Sequence, residues 1–262
     1  MTQLLEGKNA IVYGGAGGIG SGVARTFARE GATVFLVGRT KATLQKVADE
    51  IATGGGRAHV AVVDALDEPA VDKHAKSVVD QAGSIDVSFN LITRGDSQGT
   101  PLVEMTKEDL LRAVVNGLQS QFITSRAAAR RMIKQHSGVI LHLNSASGDG
   151  AQPGMGSTGP ADAATESFMR YLAAELGPHG IRVCGIWTAA VVETLSKEKF
   201  AAVTGGNAAG PEMVVQMISS MAALRRAPRL ADVAGAAAFL ASDRAAGITG
   251  SMANVTSGLV LR

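Results

Sequence analysis

The sequence predicts a doubly wound α/β fold in which helices cover both faces of a parallel β-sheet. Short apolar segments of strand length alternate with longer segments of helical spacing along all 262 residues. Such an alternation is typical of parallel sheets joined by crossover helices. No linker or change of composition divides the chain, so we expect a single domain over residues 1–262.

The first part of the chain is expected to supply four strands and the three helices between them. Apolar runs predict strands at 9–13, 33–37, 59–63 and 87–92. Apolar residues that recur every three or four positions predict amphipathic helices at 20–30, 41–51 and 69–81. Glycines follow the first two helices, at Gly31 and Gly54, and glycine is a typical residue at a helix end.

The rest of the chain is expected to add three strands and five helices. Apolar runs predict strands at 138–143, 182–187 and 252–255. Helical spacing predicts helices at 107–119, 122–136, 161–176, 211–224 and 232–241. The segment 191–227 is irregular and rich in Gly, Ala and Met. We expect it to form a mobile flap between two core strands.

Composition excludes several classes of partner. The net charge is +2 and no Lys/Arg run is long enough to follow a phosphate backbone, so no nucleic acid is expected. The N-terminus lacks the basic and apolar parts of a signal peptide, and no apolar run reaches the length of a bilayer. We therefore expect a cytoplasmic protein with no membrane partner and no metal site. The only cysteine, Cys184, lies in an apolar segment, which predicts a buried structural thiol.

A glycine-rich segment lies between the first predicted strand and the first predicted helix. Only glycine leaves room for backbone to approach a pyrophosphate closely, and the amides at the N-terminus of a helix attract phosphate. A strand, a glycine turn and a helix in this order predict a dinucleotide-binding site. Its expected residues are Gly14, Ala16, Gly17, Gly18, Ile19 and Gly20.

The end of the second predicted strand indicates which dinucleotide is bound. A site for NAD is expected to carry an Asp or Glu here, which binds the ribose hydroxyls. Gly38 stands at that place, and Arg39 follows it. An Arg can bind a 2′-phosphate through two parallel hydrogen bonds, although an ordinary solvated Arg is the alternative. Together with Thr40, this segment predicts NADP(H) in preference to NAD.

Three segments of the chain match the motifs of one protein family. They are the glycine turn Gly14-x-x-x-Gly18-x-Gly20, the segment 173–183 (AAELGPHGIRV), and 239–243 (FLASD) with 248–250 (ITG). On these residues the chain resembles the short-chain dehydrogenases/reductases, and the resemblance covers essentially its whole length. With the alternation of elements, it implies a Rossmann-type domain with a seven-stranded parallel sheet.

The resemblance implies further cofactor contacts and an oligomeric state. Asp64 and Ala65 look like the adenine-binding turn after the third strand. Asn90 is the only residue kept from the family's Asn-Asn-Ala-Gly segment, and a further cofactor contact is implied at Val191. The C-terminal motifs usually accompany a homotetramer, with the last strand and its preceding helix at an interface.

The largest departure from the family concerns its catalytic centre. In the family, a Tyr protonates the substrate carbonyl, and a Lys four residues later lowers the Tyr pKa and binds the nicotinamide ribose. A Ser thirteen residues before the Tyr hydrogen-bonds the carbonyl. Counting back from Glu175, these Ser, Tyr and Lys positions are Ser145, Thr158 and Asp162. Asn116 falls where the family's catalytic, helix-borne Asn lies.

A displaced Tyr–Lys pair is not available in this sequence. The only tyrosines are Tyr13 and Tyr171, and no Lys occurs between Lys134 and Lys197. The aliphatic hydroxyl of Thr158 does not titrate near neutral pH, so proton transfer there would need a relay or a water molecule.

The role of Asp162 has three interpretations. It is an acid in the first helical turn that interacts with the helix dipole, an acceptor for ribose hydroxyls, or a general acid whose pKa is raised by burial. Asp149 is a further candidate acid in a glycine-rich loop. His142 precedes Ser145 by three residues on a strand, so the two side chains are expected on opposite faces, and His142 is interpreted as a core or surface residue.

Two functions are consistent with these residues. The first is an atypical NADP(H)-dependent oxidoreductase acting on a small carbonyl-like substrate, a carbonyl, imine or alkene, with Ser145, Asn116, Thr158 and Asp162 as candidate catalytic residues. The alternative is a non-redox or inactive dinucleotide-binding protein, such as a sensor, a scaffold or a lyase or cyclase. The alternative is motivated by the loss of both Tyr and Lys beside an intact glycine turn.

Overall fold

Seven strands form one parallel sheet in the computed structural model, which describes residues 3–148, 150, 152–204 and 210–261. The strand order is β3-β2-β1-β4-β5-β6-β7, and every neighbouring pair is parallel. The strands are β1 (Asn9–Tyr13), β2 (Thr33–Gly38), β3 (Arg57–Val62), β4 (Val87–Asn90), β5 (Gly138–Ser145), β6 (Ile181–Thr188) and β7 (Met252–Val255). The predicted fold class and the seven-stranded sheet are confirmed.

Eight α-helices lie in the described part of the chain. They are α1 (Gly18–Arg29), α2 (Lys41–Thr53), α3 (Glu68–Ala82), α4 (Lys107–Gln135), α5 (Thr158–Leu176), α6 (Lys197–Thr204), α7 (Pro211–Met221) and α8 (Leu230–Ala241). Helices α6 and α7 fall in the predicted flap, whose residues 205–209 lie outside the described residues. The sequence analysis did not predict α6.

Helix α4 corrects the prediction of two helices at 107–119 and 122–136. It runs without a break through the polar residues Ser120 and Gln121, which are both buried. The Ser120 hydroxyl donates a hydrogen bond to the carbonyl of Gly117 one turn earlier. These polar side chains therefore face the protein interior and do not end the helix. The helix begins at a true cap, where the Thr106 side chain accepts a hydrogen bond from the Asp109 amide.

The sheet separates two hydrophobic cores because side chains alternate along each strand. Val12 packs on one face with residues of α1, α2 and α8, such as Phe27. Its neighbour Ile11 packs on the other face with residues of α3, α4 and α5, such as Met132. Cys184 is fully buried in the first core, where its thiol donates to the carbonyl of Ile248. The prediction of a buried thiol is correct.

The sheet topology creates a crevice between β1 and β4. The order β3-β2-β1 runs to one side of β1, while β4 and the later strands run to the other side. The connections after β1 and β4 therefore leave to opposite faces of the sheet. In open α/β sheets, ligands bind at the carboxyl ends of the strands beside such a point.

Candidate functional site

Two adjoining cavities occupy the crevice. The inner cavity, about 360 Å³, is bordered by the start of α1, the segment after β4, the middle of α4 and the end of β5. The outer cavity, about 350 Å³, is bordered by the ends of β1, β2 and β3. The lining residues that they share are Gly17, Leu91, Ile92 and Thr93. The shared wall makes them two ends of one cleft.

The glycine turn lies where the two cavities meet. Gly14 has a positive φ of 73°, and a Cβ there would lie 2.6 Å from the carbonyl oxygen of Leu91. A Cβ on Gly20 would collide with the carbonyl oxygen of Gly14. Helix α1 begins at Gly18, and no side chain caps its N-terminus. The free amides of its first turn therefore remain available to an anion in the cleft.

The residues of the glycine turn line both cavities, with those nearer β1 at the outer cavity and those at the start of α1 at the inner cavity. Gly14 and Ala16 line the outer cavity, and Gly18, Ile19 and Gly20 line the inner cavity, with Gly17 on both. The glycine positions leave no side chain between the backbone and the cleft. These residues fit a pyrophosphate group.

The outer cavity brings together the residues predicted to select the dinucleotide. Arg39 and Thr40 after β2 line it, with Asp64 and Ala65 after β3. The Arg39 side chain is exposed, and the Asp64 carboxylate accepts a hydrogen bond from the Leu66 amide, which fixes the turn.

Two predicted asparagines border different ends of the cleft. Asn90 lines the inner cavity, where its side chain accepts from the Ile92 amide and donates to Thr124. Asn116 lines the outer cavity, and its Nδ2 donates to the Arg94 carbonyl oxygen at 3.1 Å. Both asparagines therefore hold the chain segment that follows β4.

Of the remaining catalytic candidates that the structure describes, only Ser145 lines the cleft. It ends β5 and borders the inner cavity. Thr158 is buried, and its hydroxyl accepts a hydrogen bond from Gln98 Nε2 at 2.9 Å. Asp162 is fully buried one turn further along α5. Asp149 lies outside the described residues.

Asp162 lies behind Ser145 and binds it directly. The Ser145 hydroxyl donates to Asp162 Oδ2 at 2.5 Å, and the Ser145 amide donates to the same oxygen at 3.1 Å. The other carboxylate oxygen accepts from Arg94 Nη1 at 2.7 Å. Helix α5 begins at Thr158, earlier than the predicted residue 161, so Asp162 lies in its second turn. The interpretation of Asp162 as an acid of the first turn is therefore wrong.

Arg94 is the residue that the sequence analysis missed. Its side chain borders the inner cavity and is 15% exposed. Besides Asp162, it binds Asp96, with Nη2 2.7 Å and Nε 3.3 Å from the two carboxylate oxygens. A buried Asp needs a cationic partner, and that requirement was the only sequence signal for an Arg near the site.

The pKa of Asp162 is displaced towards neutral pH. Burial raises it from 3.8 to about 6, against the lowering effects of the Arg94 charge and of the Ser145 hydrogen bond. Burial acts to lower the pKa of Arg94, but the carboxylates of Asp162 and Asp96 raise it overall. When Asp162 is ionised, the group of Arg94, Asp96 and Asp162 has one positive and two negative formal charges.

The first part of the predicted flap lies against the glycine turn. A Cβ on Gly18 would lie 2.9 Å from Thr194 Cβ and 3.2 Å from Lys199 Nζ. Thr194 and Lys199 both line the inner cavity. Val191 is instead buried in the core, and its carbonyl accepts hydrogen bonds from the amide and hydroxyl of Thr194. The side chain near the turn is thus that of Thr194, not that of Val191.

His142 is a core residue, as interpreted from the strand spacing. It is fully buried, stacks on Phe168 and lies 3.4 Å from the Ser125 hydroxyl. Burial lowers its pKa to about 4. It therefore stays neutral at physiological pH.

Comparison with known proteins identifies the family. A family model described as enoyl-(acyl carrier protein) reductase matches residues 14–260. The oxidoreductase UcpA of Escherichia coli is 31% identical over 258 residues, which are 98% of this chain and 96% of the relative. The chain belongs to the short-chain dehydrogenase/reductase family. It is an oxidoreductase of that type.

Other members of the short-chain dehydrogenase/reductase family match over nearly the whole chain. The 7α-hydroxysteroid dehydrogenase of Escherichia coli is 30% identical over 97% of this chain and 94% of its own. A solved structure of a 7α-hydroxysteroid dehydrogenase with NADH and 7-oxo glycochenodeoxycholic acid has a TM-score of 0.84 at 30% identity, covering 98% of this chain and 96% of that chain. Carveol dehydrogenase from Mycobacterium avium, solved with NAD, has a TM-score of 0.88 at 25% identity, with all of both chains covered.

The described residues of this short-chain dehydrogenase/reductase contain neither a membrane-spanning helix nor a cluster of metal ligands. Within it, no helix is both long and apolar enough to cross a bilayer. The same residues contain no group of three His, Cys, Asp or Glu side chains able to hold a metal ion.

Proposed function

We propose that this chain is an NADP(H)-dependent oxidoreductase that reduces a small carbonyl-like substrate without the family's Tyr-x-x-x-Lys dyad. The observation that carries this proposal is the single cleft that joins an intact glycine turn to Ser145 and its buried partner Asp162. Relatives named as dehydrogenases and reductases support a redox reaction. The non-redox alternative has no such support.

The cofactor would occupy the cleft from the outer to the inner cavity. The glycine turn would bind the pyrophosphate, and Asp64 and Ala65 would bind the adenine. Asn90 would hold the chain segment after β4 that lies beside the nicotinamide. The related structures hold NAD or NADH, but Arg39 and Thr40 at the outer cavity favour a 2′-phosphate on this chain. When bound, the dinucleotide supplies or accepts the hydride.

By the alignment that counts back from Glu175, Thr158 and Asp162 stand where the family has Tyr and Lys. Neither tyrosine of the chain is a substitute acid, since Tyr13 is buried in the core beneath the sheet and the Tyr171 side chain is 72% exposed. Burial also raises the pKa of Tyr13 well above its usual range. Arg94 is a cation linked to Ser145 through Asp162, which binds both.

These residues would divide the catalytic work without a phenol. Ser145 would touch the substrate, Asp162 would fix the Ser145 hydroxyl, and Arg94 would neutralise part of the buried negative charge. Asn116 and Thr158 would position the 94–98 segment through their bonds to Arg94 and Gln98. Hydride transfer itself requires only proximity and orientation.

We also infer a single domain and a homotetramer. Support for association comes from apolar side chains on the outer face of α4 and on α8, between 37% and 52% exposed, which are Leu111, Val115, Leu118, Phe122 and Phe239. Such a stripe is typical of an interface. Sedimentation velocity tests the state, and a monomer at micromolar concentration would exclude the tetramer. The cytoplasmic location stays a prediction.

Calorimetric titration with NADPH and NADH tests the cofactor proposal. We expect NADPH to bind more tightly, and Arg39→Gln to lose about 10- to 100-fold in NADPH affinity with little change for NADH, the range for one hydrogen bond between charged groups. Arg57→Gln is the matched control because the Arg57 side chain bonds Thr33 and does not line the cleft. Binding of neither dinucleotide would refute the proposal.

A further inference from the structure

The Ser145 hydroxyl has no hydrogen left for a substrate. Its single hydrogen is donated to Asp162 Oδ2 at 2.5 Å. One of its two lone pairs accepts from the Ser147 amide at 3.2 Å, so one lone pair remains. While Asp162 is ionised, Ser145 can accept a hydrogen bond from a ligand in the inner cavity but cannot donate one.

The net charge next to Ser145 also favours a ligand that donates a hydrogen bond or carries a positive charge. All three nitrogens of the Arg94 guanidinium bind carboxylate oxygens of Asp162 and Asp96. Two carboxylates against one guanidinium leave a net negative charge at a site where Arg94 and Asp96 side chains are 15% and 18% exposed. A cationic group is stabilised at this site, and an anionic group or a developing oxyanion is destabilised.

Other polar groups around the inner cavity do not reverse this preference. Lys199 lies beside Gly18 at the start of α1 and has no ion pair with Asp162 or Asp96. The buried acid Glu166, one turn after Asp162 on α5, accepts hydrogen bonds from Trp187 Nε1 at 2.7 Å and from Asn144 at 3.5 Å. The Gln121 side chain, which also lines the cavity and is 6% exposed, has an oxygen without a hydrogen-bond partner. That oxygen requires a donor.

From these observations we propose that the substrate is a protonated imine, with the corresponding amine as the product. The inference rests on the proposed function and narrows its substrate class. The N–H of the iminium would donate to Ser145 Oγ, and its positive charge would face Asp162 and Asp96. A ketone offers only acceptor atoms to this end of the cleft, so it cannot bind the remaining lone pair of Ser145 Oγ.

The reaction balances without an acid from the protein. The imine carbon would accept a hydride supplied by a reduced dinucleotide, the π-electron pair of the C=N bond would move to nitrogen, and the positive charge of the iminium would be balanced by that of the oxidised cofactor. The neutral amine then takes a proton from water. Reduction of a ketone would need a proton on oxygen in the same step. Neither tyrosine can give it, because Tyr13 borders only the outer cavity and its hydroxyl is buried, and Tyr171 borders neither cavity. The missing phenol and the acceptor character of Ser145 therefore have one explanation.

Wild-type protein tests the inference with two matched pairs of small molecules. Pyrroline and cyclopentanone are a cyclic imine and a ketone of the same ring size, and we expect kcat/KM with NADPH to favour pyrroline by about 100-fold or more, the upper value for hydrogen bonds to charged groups. Pyrrolidinium and cyclopentanol test recognition without turnover. By calorimetry, we expect pyrrolidinium to bind at least about tenfold more tightly.

The variant Asp162→Asn tests the role of the carboxylate. An amide removes the negative charge and can donate to Ser145, which releases the serine hydrogen for a carbonyl. We expect the kcat/KM preference for pyrroline over cyclopentanone and the binding preference for pyrrolidinium over cyclopentanol each to fall by about tenfold or more. Asp243→Asn is the control, because Asp243 is exposed and pairs with Lys8, which precedes β1 at the end of the strand away from the cleft. It should leave both preferences unchanged.

The outcomes separate this inference from the proposed function. If wild-type protein binds NADPH but prefers cyclopentanone and does not prefer pyrrolidinium, the inference is overturned and the proposed function stands. If NADPH does not bind but pyrrolidinium is preferred and Asp162→Asn abolishes the preference, the ligand class is supported and the proposed function fails. A preference that survives Asp162→Asn overturns the assignment to this carboxylate.

Discussion

Removal of Arg94 is expected to destabilise the protein strongly and in a pH-dependent way. In Arg94→Met, the fully buried Asp162 carboxylate loses its 2.7 Å ion pair and retains only the Ser145 hydrogen bonds. Removal of one partner of a buried ion pair costs about 3–5 kcal/mol. We expect a loss at the lower end of that range, about 3 kcal/mol, in the free energy of unfolding at about pH 8, measured by urea denaturation.

The loss should be smaller in acid because the folded variant can then protonate Asp162. Taking up a proton at about pH 5 costs a carboxyl group with an ordinary pKa of 3.8 only about 2 kcal/mol, against about 6 kcal/mol at pH 8. Wild type already bears nearly the same cost at pH 5 and about 3 kcal/mol at pH 8, so the loss caused by Asp162 is limited to less than about 1 kcal/mol at pH 5 and to about 3 kcal/mol at pH 8. In wild type, moreover, Asp162 is already largely protonated at that pH, since its pKa is about 6.

A matched variant separates this effect from the loss of any Arg. Arg25 forms a 2.8 Å ion pair with Glu50 in which both side chains are about 40% exposed, at 39% and 42%. Arg25→Met should change the free energy of unfolding by about 1 kcal/mol or less at both pH values. The reasoning is refuted if Arg94→Met also costs less than about 1 kcal/mol at pH 8, or if its cost is the same in acid.

Three further predictions concern Asp162, Gly20 and Lys199. The raised pKa of Asp162 stabilises the fold below pH 3.8, and this contribution is lost as the pH rises through about 6. The unfolding free energy of wild type relative to Asp162→Asn should therefore fall by about 3 kcal/mol from about pH 3 to 8, and a constant difference would contradict the shift. Gly20→Ala should weaken NADPH binding by more than about tenfold in calorimetry, because its Cβ meets the Gly14 carbonyl, whereas Gly247→Ala, whose Cβ meets open space, should have no effect. Lys199→Gln should weaken NADPH binding at low salt only, and an effect of equal size at high salt would exclude a charge interaction.

Most of the fold could be predicted because its signals are local. The apolar runs that form β1 and β7 were predicted with the observed ends. The polar pair Ser120 and Gln121 produced a false break in α4, because sequence alone does not show that the two side chains face the interior. Helix α6 was missed because its 3.6-residue pattern is weak, with one Phe among charged and small residues.

The candidate site was predictable only where one segment carries the whole feature. The glycine turn is such a segment, and so is the pair of residues Arg39 and Thr40 after β2. The contact between Arg94 and Asp162 joins residues 68 positions apart, and it depends on how α5 lies against the segment after β4. A position-by-position comparison therefore identified the unusual Asp162 but could not identify its partner.

The ion pair between Arg94 and Asp162 also makes the two positions interdependent in evolution. If Asp162 stands at the family's lysine position, Asp162→Lys would place a second buried cation against the Arg94 guanidinium. The Asp96 carboxylate would then be the one paired negative charge left to neutralise the two positive charges. Changing Arg94 first would leave the Asp162 carboxylate buried without its cation. Each single step thus passes through an unpaired buried charge, so the lineage of this chain can exchange the pair together far more easily than it can reverse either residue alone.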